Sequence, residues 1–146
     1  MYCEVLGDEI GLIETPEEKL GMLQLDLLRT VRLLCDIGIH HKKWLRDQAI
    51  QFMLENTGLP KSTVEREIDR YIVNPGQGCA YKVGQLKMLE LRNRMKSDLG
   101  DYYDIRQFHD VVLRNGAVPL DILDRMVNEE IEKLKAESLS VIPEPI

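Results

Sequence analysis

The sequence predicts an all-α fold, built as a single helical domain of about six helices. Apolar residues recur at three- and four-residue steps along most of the 146-residue chain, and helix-capping signals precede several of these segments. No stretch of useful length alternates polar and apolar residues as a β-strand does. A chain of this length typically forms one domain with its own core. We assign residues 1–140 to the helical domain and expect the tail 141–146 to fray.

The first long helix is predicted to begin at Thr15. This threonine is a good N-cap, Pro16 suits the first helical position, and Glu18 stands at the capping-box position. The helix carries two interleaved apolar sets, so we expect it to be buried on most sides. The first set comprises Leu20, Leu23, Leu27, Val31 and Leu34, and the second comprises Met22, Leu25, Leu28 and Leu33. Residues 1–6 resemble the middle or end of a helix without a preceding cap.

Five further helices are predicted along the chain. Their spans are about 47–56, with Gly58 as a left-handed C-cap; about 62–73, before the Pro75-Gly76 break; about 79–99, ending at Gly100; a helix opened by Asp104 that ends near Gly116; and a helix after Pro119. The last helix has an apolar stripe formed by Leu120, Leu123, Val127, Ile131 and Leu134. Every connection is short, so no linker divides the chain.

Composition and charge exclude several classes of protein. The chain has 25 acidic and 19 basic residues, a net charge of −6, which disfavours a nucleic-acid partner. No run of about 18 uncharged apolar residues exists, so we predict no membrane span. The three cysteines are widely spaced and two of the three histidines are adjacent, so we predict no disulfide framework, metal site or cofactor in this chain.

The start of the chain leaves its cellular location open. Residues 1–8 lack the basic region and apolar run of a signal peptide. The protein is therefore expected to be cytoplasmic if it begins at Met1, whereas a longer precursor leaves export or lipid anchoring open.

A polar line interrupts the apolar helix that begins at Thr15. Arg32, Asp36 and His40 recur at four-residue intervals, so they share one face if the helix continues past Gly38. A carboxylate in this position can accept a ring N–H from the histidine and fix its tautomer. Because buried polar groups need partners, the line is either an internal salt-bridge network or solvated face, or the wall of a cleft.

A second polar cluster surrounds the Pro75-Gly76 break. Its members are Arg70, Tyr71, Gln77, Tyr81 and Lys82. Gly76 and Gly78 allow close approach of the backbone to a ligand, and the helix that starts there favours an anion. The two tyrosines can both point into one cleft, where a phenol can donate a hydrogen bond to an oxyanion. The alternative is a Pro-Gly turn between helices with two tyrosines in the core.

Four linked motifs occur in order along the chain. They are Arg32-Leu33-Leu34-Cys35-Asp36-Ile37-Gly38-Ile39-His40 with Trp44; Glu67-Ile68-Asp69-Arg70-Tyr71 through Pro75-Gly76-Gln77 to Tyr81-Lys82-Val83-Gly84; Leu91-Arg92; and Phe108-His109-Asp110 followed by Gly116-Ala117-Val118-Pro119-Leu120. In this order they resemble the C-terminal part of a large bacterial family, domain of unknown function 885 (DUF885). The resemblance extends to about Val127.

That family is similar to the all-helical zinc metallopeptidases, which include the angiotensin-converting and thermostable carboxypeptidase types. The resemblance implies that full-length members carry an H-E-x-x-x-G-H-like zinc motif and then an E-G-W-A segment, and residues 1–4 match the positions just after it. By resemblance the chain is the C-terminal half of a metallopeptidase-like helical fold, with zinc expected only in the missing upstream half. The implied partners are that N-terminal half or a second copy of the chain, and a peptide-like substrate of the full-length protein.

The resemblance also implies roles for individual residues. In the helical metallopeptidases a histidine and a tyrosine ten residues apart donate to the substrate carbonyl and its oxyanion. Here Tyr81 is the expected catalytic oxyanion donor, and Tyr71, which replaces the histidine, is its catalytic helper. The residues expected to bind substrate are Arg32, Asp36, His40, Arg70, Gln77 and Lys82, with Asp36 orienting His40. His109 also matches a family position, but its apolar face favours a structural role. The alternative to a hydrolase is a non-catalytic helical interaction domain.

Overall fold

The computed structural model describes the backbone of residues 1–140 and the side chains of residues 1–137. Its helices are α1 (Tyr2–Glu9), α2 (Pro16–His40), α3 (Arg46–Asn56), α4 (Lys61–Val73), α5 (Gln77–Leu99), α6 (Ile105–Arg114) and α7 (Leu120–Ser140), with a short 3-10 helix at Gly100–Tyr102. No strand occurs among the described residues, and the predicted all-α fold is confirmed. The tail 141–146, expected to fray, lies outside the described residues.

The start of α2 has the predicted capping box. The hydroxyl of Thr15 accepts a hydrogen bond from the backbone N–H of Glu18 at 3.2 Å, and the Glu18 carboxylate accepts one from the Thr15 N–H at 3.0 Å. The helix then continues through Gly38 to His40. The polar line predicted from the sequence therefore lies on a single helix.

Glycines end two of the helices as the sequence predicts, and a third helix ends differently. Gly100 and Gly116 have φ values of 53° and 65°, the left-handed conformation that closes α5 and follows α6. Gly58 was expected to do the same after α3. Instead Thr57 is the C-cap in an extended conformation, and its hydroxyl donates to the carbonyl oxygen of Met53 at 2.8 Å.

Two compact units divide the chain, the first covering Met1–Gln85 and the second beginning at Leu86. The boundary lies inside α5, so no separate linker segment joins them. In the first unit α2, α3 and α4 pack against one another, and in the second α6 packs against α7.

The core of the first unit is formed by one face each of α2, α3 and α4. Its buried residues are Val31, Cys35, Ala49, Ile50, Met53, Val64, Ile68 and Tyr71. Trp44 covers the C-terminal part of α2, where its ring occupies the space that a Cβ at Gly38 would need. This contact explains a glycine inside a helix, where glycine otherwise costs about 0.5–1 kcal/mol relative to alanine.

The first half of α2 is more exposed than expected. Leu20, Leu23 and Leu27 keep 57%, 52% and 49% of their surface accessible, whereas Val31 and Cys35 are buried. The prediction that this helix is buried on most sides was therefore wrong. In the core with α3 and α4, α2 contributes Val31 and Cys35. The other members of the first apolar set, Leu20, Leu23, Leu27 and Leu34, face outward.

The second unit has its own core and an ionic network. The core residues are Leu91, Met95, Leu99, Phe108, Val111, Leu123, Val127 and Ile131. Arg94 donates to Asp124 at 2.7 Å and Lys87 pairs with the same carboxylate, so these hydrogen bonds hold the pKa of Asp124 well below its usual range. His109 lies beside Phe108, with ring centroids 5.9 Å apart. Its expected structural role stays a prediction.

Candidate functional site

The carboxylate of Asp36 occupies the N-terminus of α5. Both of its oxygens lie 3.0 Å from the backbone nitrogen of Gly76, and Oδ2 also accepts from the N–H of Gly78 at 3.0 Å. Asp36 is only 3% exposed. A negative charge at a helix start is favourable because the first N–H groups lack intrahelical acceptors. Asp36 therefore joins the middle of α2 to the turn between α4 and α5.

The two glycines serve this internal contact. Gly76 has a φ of 83°, which favours glycine, and a Cβ at Gly78 would lie 3.0 Å from both the Arg32 carbonyl oxygen and Asp36 Oδ2. The sequence left open whether the backbone approaches an anionic ligand here or only forms a turn between helices. In the structure the anion at this helix start is the side chain of Asp36 in the same chain.

Gln77 joins two arginines from different helices. Its side-chain oxygen accepts from Nη2 of Arg32 at 3.0 Å and from Nη1 of Arg70 at 2.8 Å. Arg70 also donates to the carboxylate of Glu67 at 2.6 Å. Both guanidinium groups are thereby fixed in place next to the α4–α5 turn.

Tyr71 and Glu67 form the buried side of this cluster. The Tyr71 hydroxyl donates to Glu67 Oε2 at 2.7 Å, and Tyr71 is fully buried. Burial, followed by the bond to Glu67, raises the pKa of Tyr71 far above its usual range. Burial alone opposes ionisation of Glu67, but the hydrogen bonds from Arg70 and Tyr71 together outweigh it and lower the pKa of that carboxyl.

Tyr81 forms the exposed side of the cluster. It is 46% exposed, and the Arg32 guanidinium carbon lies 5.0 Å from the centre of its ring. The same carbon lies 5.5 Å from the Tyr71 ring, so Arg32 makes cation–π contacts with both tyrosines. Arg32 Nε is buried and has no hydrogen-bond partner among the described residues. The result is a fixed cation directly beside an accessible phenol.

His40 lies at the back of the cluster. Its Nε2 is 2.9 Å from the carbonyl oxygen of Tyr71, so the ring N–H donates to the backbone of α4. We expected Asp36 to orient His40, but both carboxylate oxygens of Asp36 accept from the backbone N–H groups of Gly76 and Gly78 instead. The prediction that Asp36 orients His40 was therefore wrong.

Lys82, the remaining predicted residue, is tied to α2. Its ammonium group lies 2.8 and 2.9 Å from the two carboxylate oxygens of Asp26. The side chain is only 15% exposed. Lys82 therefore holds α5 to α2 through Asp26.

The structure thus brings together Arg32, Asp36, His40, Arg70, Tyr71, Gln77 and Tyr81. Sequence reasoning gave no role to Glu67, which binds two members of this set. Its spacing of three and four residues before Arg70 and Tyr71 was the available signal, because such residues are neighbours on a helix. Two grooves of the first unit, of about 580 and 410 Å³, are lined by other residues.

Comparison with known proteins identifies the family. A family model described as "bacterial protein of unknown function (DUF885)" matches residues 1–127. The chain belongs to the DUF885 family. A crystal structure described as that of "the putative lipoprotein from Colwellia psychrerythraea" shares 49% identity with this DUF885 chain and superposes with a TM-score of 0.88. The match covers 90% of this chain and 23% of that one, so the DUF885 chain spans less than a quarter of its relative's length. No curated protein matches it.

The DUF885 residues do not fit a zinc ion by themselves. Among residues 1–137, no group of three or more histidine, cysteine, aspartate or glutamate side chains is arranged to hold a metal. Three protein ligands are the usual minimum of a catalytic zinc site. In the same described part of the DUF885 chain, no helix combines the length and apolarity that a membrane crossing needs.

Proposed function

We propose that these residues form the C-terminal part of a zinc-metallopeptidase-like hydrolase, where they recognise a peptide-like substrate and stabilise its oxyanion. The proposal combines the resemblance of the motifs with the presence of this segment in a much longer relative. Because the described residues do not fit zinc, the metal site belongs in this proposal to another part of the longer chain.

The arrangement of Tyr81 and Arg32 carries the proposal. The Tyr81 hydroxyl donates a hydrogen bond to the substrate carbonyl oxygen as negative charge develops on it. Arg32, held by Gln77 at 3.0 Å, supplies a fixed positive charge beside the phenol. Donors and charges that are already in place need no reorganisation during the reaction, which is the usual source of oxyanion stabilisation.

The other residues position these two groups. Tyr71 was expected to be a catalytic helper of Tyr81, but it is fully buried and its hydroxyl donates to Glu67. In this proposal it is a positioning residue that supports Arg32 and Arg70 from behind, with Arg70 4.9 Å from its ring centre. Arg70 and Gln77 line the surface on which the substrate lies. The residues that hold this surface in place are Asp36, His40 and Lys82, through the contacts described above.

Tyr81→Phe tests the proposal in the native protein made from its complete gene, with hydrolysis followed by mass spectrometry of a defined peptide mixture. We expect kcat to fall by about 10²–10³ with little change in KM, because the lost hydroxyl acts in the transition state. Tyr102→Phe is the matched control, since Tyr102 is also an exposed tyrosine (65%) and lies outside the cluster. An unchanged kcat for a folded Tyr81→Phe protein, or a wild-type protein that cleaves no peptide, refutes the proposal.

The exposed leucines of α2 favour a second candidate, a non-catalytic interaction domain. A contiguous apolar surface on a folded protein marks a contact with another surface. If the native protein cleaves no peptide, binds a protein partner, and loses that partner when the leucines become polar, this second function is the correct one.

For cellular location, we propose that the native protein is exported and anchored by a lipid. The description of the Colwellia psychrerythraea protein supports this, at 49% identity. Metabolic labelling of the native protein with a radioactive fatty acid tests it. Absence of label in a protein that stays in the cytoplasmic fraction contradicts it.

A further inference from the structure

Helix α2 has an outward apolar side, which we call the leucine face. It consists of Leu20, Leu23, Leu27, Leu34 and Ile37, exposed by 57%, 52%, 49%, 43% and 37%. Their spacing places them on one side of the helix, over a length of about 26 Å at 1.5 Å per residue. None of these five residues belongs to the core of the first unit, to which α2 contributes Val31 and Cys35.

A groove runs beside the leucine face. It has a volume of about 410 Å³ and lies between α2 and the connection from α3 to α4, with Leu25, Leu27 and Leu28 on one wall and Leu59 on the other. Leu27 belongs to both the groove and the leucine face. A ridge of side chains next to an apolar groove is the shape into which another helix packs.

We propose that a helix from the remaining part of the longer DUF885 chain covers the leucine face and fills this groove. The relative from Colwellia psychrerythraea has this segment at 49% identity, yet the match covers only 23% of its length. A helix of the same chain meets the leucine face at an effective concentration in the millimolar range. This is far above the concentration that a second copy reaches in a cell. A second copy also carries the same net charge of −6, which opposes self-association.

This inference rests on the proposed function in one respect, namely that the segment belongs to a longer chain. It does not depend on the role of Tyr81. Its test therefore measures solvent access and not hydrolysis, so a failure here and a failure of the catalytic proposal give different results.

Cysteine labelling gives the test. Leu23→Cys and Leu27→Cys are made separately with Cys3→Ser and Cys79→Ala, since Cys3 is exposed and Cys79 partly exposed. Labelling rates with a maleimide are compared between the isolated chain, the native protein from its complete gene, and a chimera that carries this segment in the Colwellia psychrerythraea protein. Leu45→Cys is the matched control, an exposed leucine (71%) outside the leucine face.

We expect labelling at positions 23 and 27 to be at least tenfold slower in the chimera and in the native protein than in the isolated chain, with no change at position 45. Equal rates in all three folded proteins overturn the inference. Slow labelling in the isolated chain that slows further with rising protein concentration also overturns it, because a second copy then covers the leucine face. Circular dichroism confirms that each variant is folded.

Discussion

Replacing Gly78 by alanine probes the contact between α5 and Asp36 directly. The added Cβ would lie 3.0 Å from the carbonyl oxygen of Arg32 and 3.0 Å from Oδ2 of Asp36. Comfortable separations for a carbon atom are about 3.5–4.0 Å. The carbonyl oxygen belongs to the backbone of α2 and cannot rotate away. The start of α5 must shift instead, which lengthens the 3.0 Å hydrogen bond from the Gly78 N–H to Asp36.

The expected cost exceeds the expected gain. Alanine in place of glycine normally stabilises a helix by about 0.5–1 kcal/mol. Overpacking a tight contact costs about 1–3 kcal/mol, and weakening a hydrogen bond to a charged group costs part of the about 1.5–3 kcal/mol that such a bond contributes. We expect Gly78→Ala to lower the free energy of unfolding by about 1–3 kcal/mol.

Gly84→Ala is the matched control on the same helix. A Cβ at Gly84 meets no atom within 4 Å, so this variant should gain about 0.5–1 kcal/mol. Urea unfolding followed by circular dichroism measures both, and the two slopes must agree for the midpoints to be compared. If Gly78→Ala is as stable as Gly84→Ala, the close approach of α5 to Asp36 is not what makes glycine necessary there.

Three further predictions concern Gly38, Glu67 and zinc. Gly38→Ala should displace the ring of Trp44, the only tryptophan, so its fluorescence should shift to the red and the free energy of unfolding should fall by about 1–3 kcal/mol; an unchanged spectrum contradicts this. Glu67 has a lowered pKa, so it stabilises the fold while ionised, and the stability advantage of wild type over Glu67→Gln should be full at pH 7 and shrink as the pH falls from about 5 to 3. A stability advantage of wild type that grows as the pH falls contradicts this prediction. The isolated chain, saturated with zinc and then dialysed, should retain far less than one zinc ion per chain by elemental analysis. The reason is that the described residues contain no group of three or more candidate metal ligands. One tightly bound zinc ion per chain contradicts this.

The helices and their ends were largely predictable because local chemistry determines them. The Thr15 capping box and the left-handed Gly100 depend on neighbours within a few residues, and both occur as expected. The two polar clusters, to both of which substrate-binding residues were assigned, also meet in space, since Arg32 and Gln77 are hydrogen-bonded. Two sets of polar side chains on mostly apolar helices satisfy each other most easily by sharing one site.

Other features of the site depend on contacts that spacing cannot specify. Asp36 was paired with His40 because they are one helical turn apart, yet the N-terminus of α5 offers its carboxylate several N–H donors at once. Buried Val31 and exposed Leu27 of α2 belong to the same apolar set, so periodicity alone cannot tell which apolar residues the core covers. The burial of Tyr71 beside an exposed Tyr81 likewise depends on how α4 and α5 leave the turn.

The bond between Asp36 and the start of α5 also bears on how the first unit assembles. The carboxylate and the amides of Gly76 and Gly78 are separated by 40 and 42 residues along the chain. The first turn of α5 therefore gains its acceptor only after a long loop has closed, and such non-local contacts form late in folding. Once this hydrogen bond has formed, the amide hydrogen of Gly78 can exchange with solvent only when α2 and the start of α5 separate. Its exchange rate then reports the cooperative opening of this unit and not the fraying of one helix end.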